Sequence, residues 1–150
     1  MMKTGYPDES AVKNAIAELQ VIMRLQDWDI EFAYTDKVGM ERDKVDAESY
    51  GLGARNQLLR RAKILLNTEC EDGAKEWYST LVHEMVHILT TDYCALVHNL
   101  GDQLPKAVWN VMHEMVRVQY EIMVESIARA ILNAEGRNLD GTTKSQESEV

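Results

Sequence analysis

Residues 77–93, WYSTLVHEMVHILTTDY, set two histidines and a glutamate in the middle of an apolar run. Leu81, Val82, Met85, Val86, Ile88 and Leu89 around them read as the buried side of a helix. A carboxylate and two imidazoles left unpartnered in such a setting would carry a heavy desolvation cost. Any fold this chain adopts must therefore give His83, Glu84 and His87 something to bind.

Helical geometry indicates what that is. Positions four apart differ by only about 40° in azimuth, so His83 and His87 project from one face, a turn apart. Two imidazole nitrogens presented this way can bind one tetrahedral zinc ion. Glu84 lies about 100° around the helix from His83, so it flanks the ion instead of ligating it. A general base that takes a proton from water belongs there. The spacing H-E-x-x-H thus encodes two ligands and a base. The competing reading is two surface histidines and an ordinary glutamate. It leaves the apolar neighbours unexplained, in a chain with only four histidines.

A catalytic zinc takes three protein ligands and keeps one position open. The extended motif with a third histidine fails here, because Thr90 and Tyr93 stand in its glycine and histidine slots. The third ligand must come from elsewhere, and the candidates are Cys94, His98, His113, Glu114, Glu121 and Glu125. Glu114, Arg117, Glu121 and Glu125 fall along one stripe of the last helical segment. Glu114 and Arg117 read as facing water. Around Glu121 and Glu125 the stretch QYEIMVESIARAIL is apolar enough to call for a partner. Two carboxylates four apart can supply one ligand and one acceptor for a ligand histidine's other N–H.

The rest of the chain supplies the frame. Val12, Ala15, Ile16, Leu19, Ile22 and Met23 recur at three and four, predicting a helix over 9–26 with Asp8 as its N-cap. WDIEFAY (28–34) alternates as a half-buried strand, SYGLGAR (49–55) reads as a second strand, NQLL as a turn and RRAKILLN (60–67) as a third strand. The polar stretch over 35–48 is a long connection. A second helix is expected over 72–91. YCALVHNLGDQLP then breaks the pattern, and a long helix runs over 106–135 to the stop at Gly136. Strands grouped together with helices set apart predict an α+β fold. Residues 1–135 form a single domain, and 136–150 read as a polar, frayed tail.

Composition narrows the class. The 150 residues suffice for one core, and the net charge of −9 argues against a direct nucleic-acid surface. Arg55, Arg60, Arg61 and Lys63 read as decoration of a solvated strand and turn. No stretch approaches the roughly 20 apolar residues of a membrane span. The N-terminus has no apolar signal segment, so the expected compartment is the cytoplasm. Cys70 and Cys94, without a CxxC pair, read as free thiols.

TLVHEMVHIL followed by YEIMVESIA resembles the gluzincin class of zincin metallopeptidases. It is most similar to the small zinc peptidases associated with phages and prophages. Their pattern of tyrosine, glutamate, apolar residue, acid, apolar residue and alanine falls here on Tyr120, Glu121, Val124, Glu125, Ile127 and Ala128. The likeness covers the order of helix, short strands, active-site helix and glutamate helix, but only the two motifs are specific. It implies a zincin-like fold and a zinc ion held by His83, His87 and Glu121. Glu125 is then an outer acid or the alternative ligand. The larger gluzincins more often carry aspartate at that outer position.

The resemblance also implies hydrolysis of a peptide or protein substrate, with Glu84 as general base. Tyr93, His98 and His113 are candidate donors to the developing oxyanion. The strand over 60–67 is either the edge that pairs with an extended substrate or an interior strand. Two alternatives stand beside the peptidase. One is a non-catalytic, zinc-stabilised interaction protein whose fourth ligand is Cys94 or His98; the intact Glu84 argues against it. The other is a regulatory peptidase of a mobile element acting on a repressor.

Overall fold

The computed structural model describes residues 5–36, 51–70 and 72–144, with 51–54 described by their backbone alone. The first helix, α1, spans Glu9–Ile22, capped by Asp8, whose carboxylate accepts from the Ala11 amide at 2.7 Å. Its stripe of Val12, Ala15, Ile16 and Leu19 is buried. The helix ends four residues before the expected Gln26, because Arg24 adopts a left-handed backbone with φ 56°. That turn sends Leu25 and Trp28 back into the core. The Gln20 amide holds it there by donating to the carbonyls of Leu25 (3.1 Å) and Trp28 (2.8 Å).

Three strands follow: β1 (Asp29–Thr35), β2 (Gly51–Asn56) and β3 (Arg61–Asn67). Their spatial order is β1-β3-β2, with β1 parallel and β2 antiparallel to β3. The strand expected over 60–67 is therefore the interior one, paired on both sides, and the edge alternative is overturned. Its burial agrees: Ala62, Ile64, Leu65, Leu66 and Asn67 are all buried. Among the described residues, the edge nearer the next helix is β2. The connection expected over 35–48 lies, from residue 37 onward, outside the described residues.

Helix α2 (Gly73–Leu89) contacts β2 and β3 on one side and the last helix on another, and it supplies the centre of the core. Tyr78, Leu81, Val82, Met85, Val86 and Ile88 are all at most 1 % exposed. A further helix, α3 (Thr91–Gly101), occupies the stretch expected to be irregular. It buries only Thr91 and Gly101, although Tyr93, Leu96, Val97 and Leu100 recur at helical spacing. The long α4 (Lys106–Ala134) agrees with expectation, although it buries only Val124, Ala128 and Leu132, all in its C-terminal half.

Gly136, at φ 61°, closes α4 with bonds from its own N–H to Asn133 and from Arg137 N–H to Leu132. Beyond it the chain differs from a frayed tail. Residues 136–144 fold back as a turn bridged at Arg137 and Thr143. The Leu139 carbonyl accepts from the Ser79 amide at 3.0 Å, and Arg137 pairs with Glu18 at 3.3 Å. Residues 145–150 lie outside the described residues. Among the described residues, helices and a three-stranded mixed sheet make an α+β fold, and no helix is long and apolar enough to cross a membrane.

Candidate metal centre

The contact between α2 and α4 brings His83 and His87 against Glu121 and Glu125. The two Nε2 atoms lie 3.2 Å apart, and one oxygen of Glu121 stands 3.6 Å from that of His83 and 3.5 Å from that of His87. A tetrahedral ion with bonds of about 2 Å needs ligand atoms about 3.3 Å apart, so this triangle is the size of a coordination face. Among the described residues, His83, His87 and Glu121 are the one group of three or more such side chains able to hold a metal ion.

The outer contacts of each ring decide where its proton sits. His83 Nδ1 lies 3.2 Å from Glu125 Oε2, and the carboxylate's other oxygen accepts from Arg129 Nε at 2.7 Å. An ionised carboxylate only accepts, so His83 carries its proton on Nδ1. Arg129 first, and then the hydrogen bond with His83, hold the Glu125 carboxyl below the ordinary carboxylate range, against the effect of burial.

His87 Nδ1 faces the Tyr120 hydroxyl at 3.3 Å. That hydroxyl is 2.7 Å from Thr90 Oγ1, which donates to the Val86 carbonyl at 2.8 Å. The chain closes in one direction: His87 N–H to Tyr120, Tyr120 O–H to Thr90, Thr90 O–H to Val86. Burial, then His83, then Arg55 lower the His87 pKa to about 3, so this ring is neutral at physiological pH. With each ring's proton on Nδ1, both Nε2 atoms turn lone pairs towards the Glu121 oxygen, 3.6 and 3.5 Å away. Three electron-rich atoms at such separations repel one another until a cation joins them, so the residues fit a divalent metal.

Glu84 is buried, with 8 % exposed, and lines the same cavity as His83, His87 and Glu121. This cavity, about 940 Å³, runs between α2 and α4 from Arg55 on β2 to Asn138, Leu139 and Lys144 of the C-terminal turn.

The other sequence candidates lie elsewhere. Glu114 forms a two-pronged pair with Arg117 at 2.6 and 3.0 Å on the exposed face of α4. His98 and His113 stack on one another, centroids 6.1 Å apart, and both meet Trp109. Tyr93, Cys94, His98 and His113 line a separate groove between α3 and α4 and do not line the cavity. None of these four is positioned as ligand or oxyanion donor there. Among the described residues, neither Cys70 nor Cys94 forms a disulfide.

Three residues of the site went unassigned in the sequence. Tyr120 stands in the glutamate motif but had no role until its hydroxyl was placed against His87. Arg129 follows Glu125 by four, the spacing of a helical ion pair, and that signal was there to be read. Arg55 was read as decoration of a solvated strand; the position of β2 beside α2 instead makes it part of the cavity.

No family model, curated protein or solved structure matches the chain.

Proposed function

We propose that this chain is a zinc-dependent peptidase in which His83, His87 and Glu121 hold the ion and Glu84 is the general base. The observation that carries this reading is the triangle of bare ligand atoms beside a cavity that Glu84 also lines. A structural zinc site is closed by four protein ligands, whereas two imidazoles and one carboxylate leave a position for water. Cys94 and His98, the side chains that would close it, lie outside the cavity lining. The likeness of HEMVH and YEIMVE to the gluzincin motifs points the same way.

When bound, zinc supplies Lewis acidity, which lowers the pKa of a water molecule and polarises a peptide carbonyl. Glu84, next to His83 on the same turn of α2, takes the proton that the attacking water loses. The water oxygen bonds to the carbonyl carbon and the C–N bond breaks. The amine leaves with the proton that Glu84 carried. Glu125 and Tyr120 keep both rings turned with Nε2 inward throughout, as outer partners of metal-binding histidines do.

The experiment compares zinc-loaded wild type with Glu84→Gln on an unfolded protein substrate. Glu84→Gln should keep its zinc and lose about 10²- to 10⁴-fold in rate, the contribution of a placed general base. Absence of zinc-dependent hydrolysis in the wild type across varied unfolded substrates would contradict the reading.

A further inference from the structure

We infer that Arg55 anchors a substrate carboxylate, so that the peptides this cleft takes carry an acidic group near the bond to be cut. The inference rests on the peptidase reading above for the reaction, and on the cavity together with its proposed metal for the anion.

Register places the residue. Arg55 stands opposite Ala62 of β3, on the face of the sheet whose Ala62 and Ile64 belong to the core beneath the helices. Its side chain therefore lines the cavity together with His83, Glu84, His87 and Glu121. Its charge is felt at both His87 and Tyr120.

The other cations of the cavity are engaged. Arg129 pairs with Glu125 at 2.7 Å, Arg137 with Glu18 at 3.3 Å, and Lys144 donates to Asn133 Oδ1 at 2.9 Å. Among the described residues, Arg55 has no hydrogen bond or ion pair from its guanidinium. A planar fork of donors left open at a cleft wall matches a carboxylate in shape as well as in charge.

The charge of the lining agrees. The chain carries −9 overall, yet the cavity is lined by four cations, Arg55, Arg129, Arg137 and Lys144, against four glutamates. A divalent ion on the ligand triangle makes that lining net positive. In an otherwise acidic protein, this cleft becomes the place where an anion is attracted.

Calorimetry on the zinc-loaded Glu84→Gln protein tests this without turnover. The probes are short peptides paired as glutamate against glutamine at each position, each with a free or an amidated C-terminus. Acidic peptides should bind more tightly than their neutral partners. The pair that shows the difference tells a side-chain carboxylate from a terminal one. Adding Arg55→Gln should weaken the acidic peptides about 10- to 100-fold and leave the neutral ones unchanged. Arg55→Lys, which keeps the charge and loses the fork, should fall between. Zinc content equal to that of the parent shows that the variants fold. Equal weakening of acidic and neutral peptides, or no weakening, would overturn the inference. Arg55-dependent binding in a protein whose wild type hydrolyses nothing would sink the peptidase and leave the anchor standing.

Discussion

Glu125 meets His83 at Nδ1, 3.2 Å away, and leaves Nε2 of the same ring to Glu121. The two glutamates sit one turn apart on α4 and play different parts because they reach opposite nitrogens. On the proposed reading Glu121→Ala removes a ligand, and it should reduce zinc affinity by more than the 10- to 100-fold expected on losing an outer partner. Glu125→Ala should fall within that range, and so should Tyr120→Phe, which removes the hydroxyl against His87. Competition for zinc against a chelator of known affinity ranks the three. Glu125→Ala weaker than Glu121→Ala would exchange their assignments.

His87 makes the metal-free protein sensitive to acid. Its pKa is lowered to about 3 by burial, then His83, then Arg55, while in the unfolded chain it returns to about 6.5. The unfolded state therefore binds a proton that the folded state refuses. Stability linked to this ring is complete above about pH 6.5 and drains away as the pH falls towards 3. Thermal unfolding of the metal-free protein between pH 7 and 4 should show a falling midpoint, and His87→Gln should flatten that slope. An unchanged slope in the variant would remove His87 from the account.

Gly141 lies in the C-terminal turn whose Asn138, Leu139 and Lys144 line the cavity. It has φ 82°, and a Cβ there would lie 3.1 Å from the Tyr78 ring and 3.2 Å from Trp77. Gly136 also has a positive φ, 61°, but open space around its missing Cβ. Gly136→Ala should cost about 1 kcal/mol from backbone strain alone. Gly141→Ala should cost more, because a crowded aromatic pair is added to the same strain. Denaturant unfolding of both variants measures the difference. Equal losses would mean that the turn does not rest on Tyr78 and Trp77.

These residues also mark what could be read from the sequence and what could not. His83, Glu84 and His87 were legible because their relation is local: one helix, fixed spacing, apolar surroundings. The α+β frame was legible because periodicity switches at Asp29 and again near Asp72. From their spacing Glu121 and Glu125 were legible only as a pair, since the choice depends on how α4 is rotated against α2; the preference for Glu121 came from the family resemblance. Helix α3 was legible in Tyr93, Leu96, Val97 and Leu100, which recur at helical spacing, but was passed over for the breaks at Gly101 and Pro105. The end of α1 was misplaced because Arg24 takes a left-handed turn that its residue type does not signal. The C-terminal turn depends on a bond between Leu139 and Ser79, sixty residues away in the chain. Arg55 depends on sheet order, which places β2 and not β3 at the edge.

The most direct test of the central claim is the metal content of the purified chain. After exposure to zinc and removal of the excess, wild type and Glu84→Gln should each retain about one zinc ion per chain, as a three-ligand catalytic centre requires. His83→Ala and Glu121→Ala should retain little. A wild-type chain without zinc after such treatment, or a Glu121→Ala chain that keeps its full share, would contradict the account.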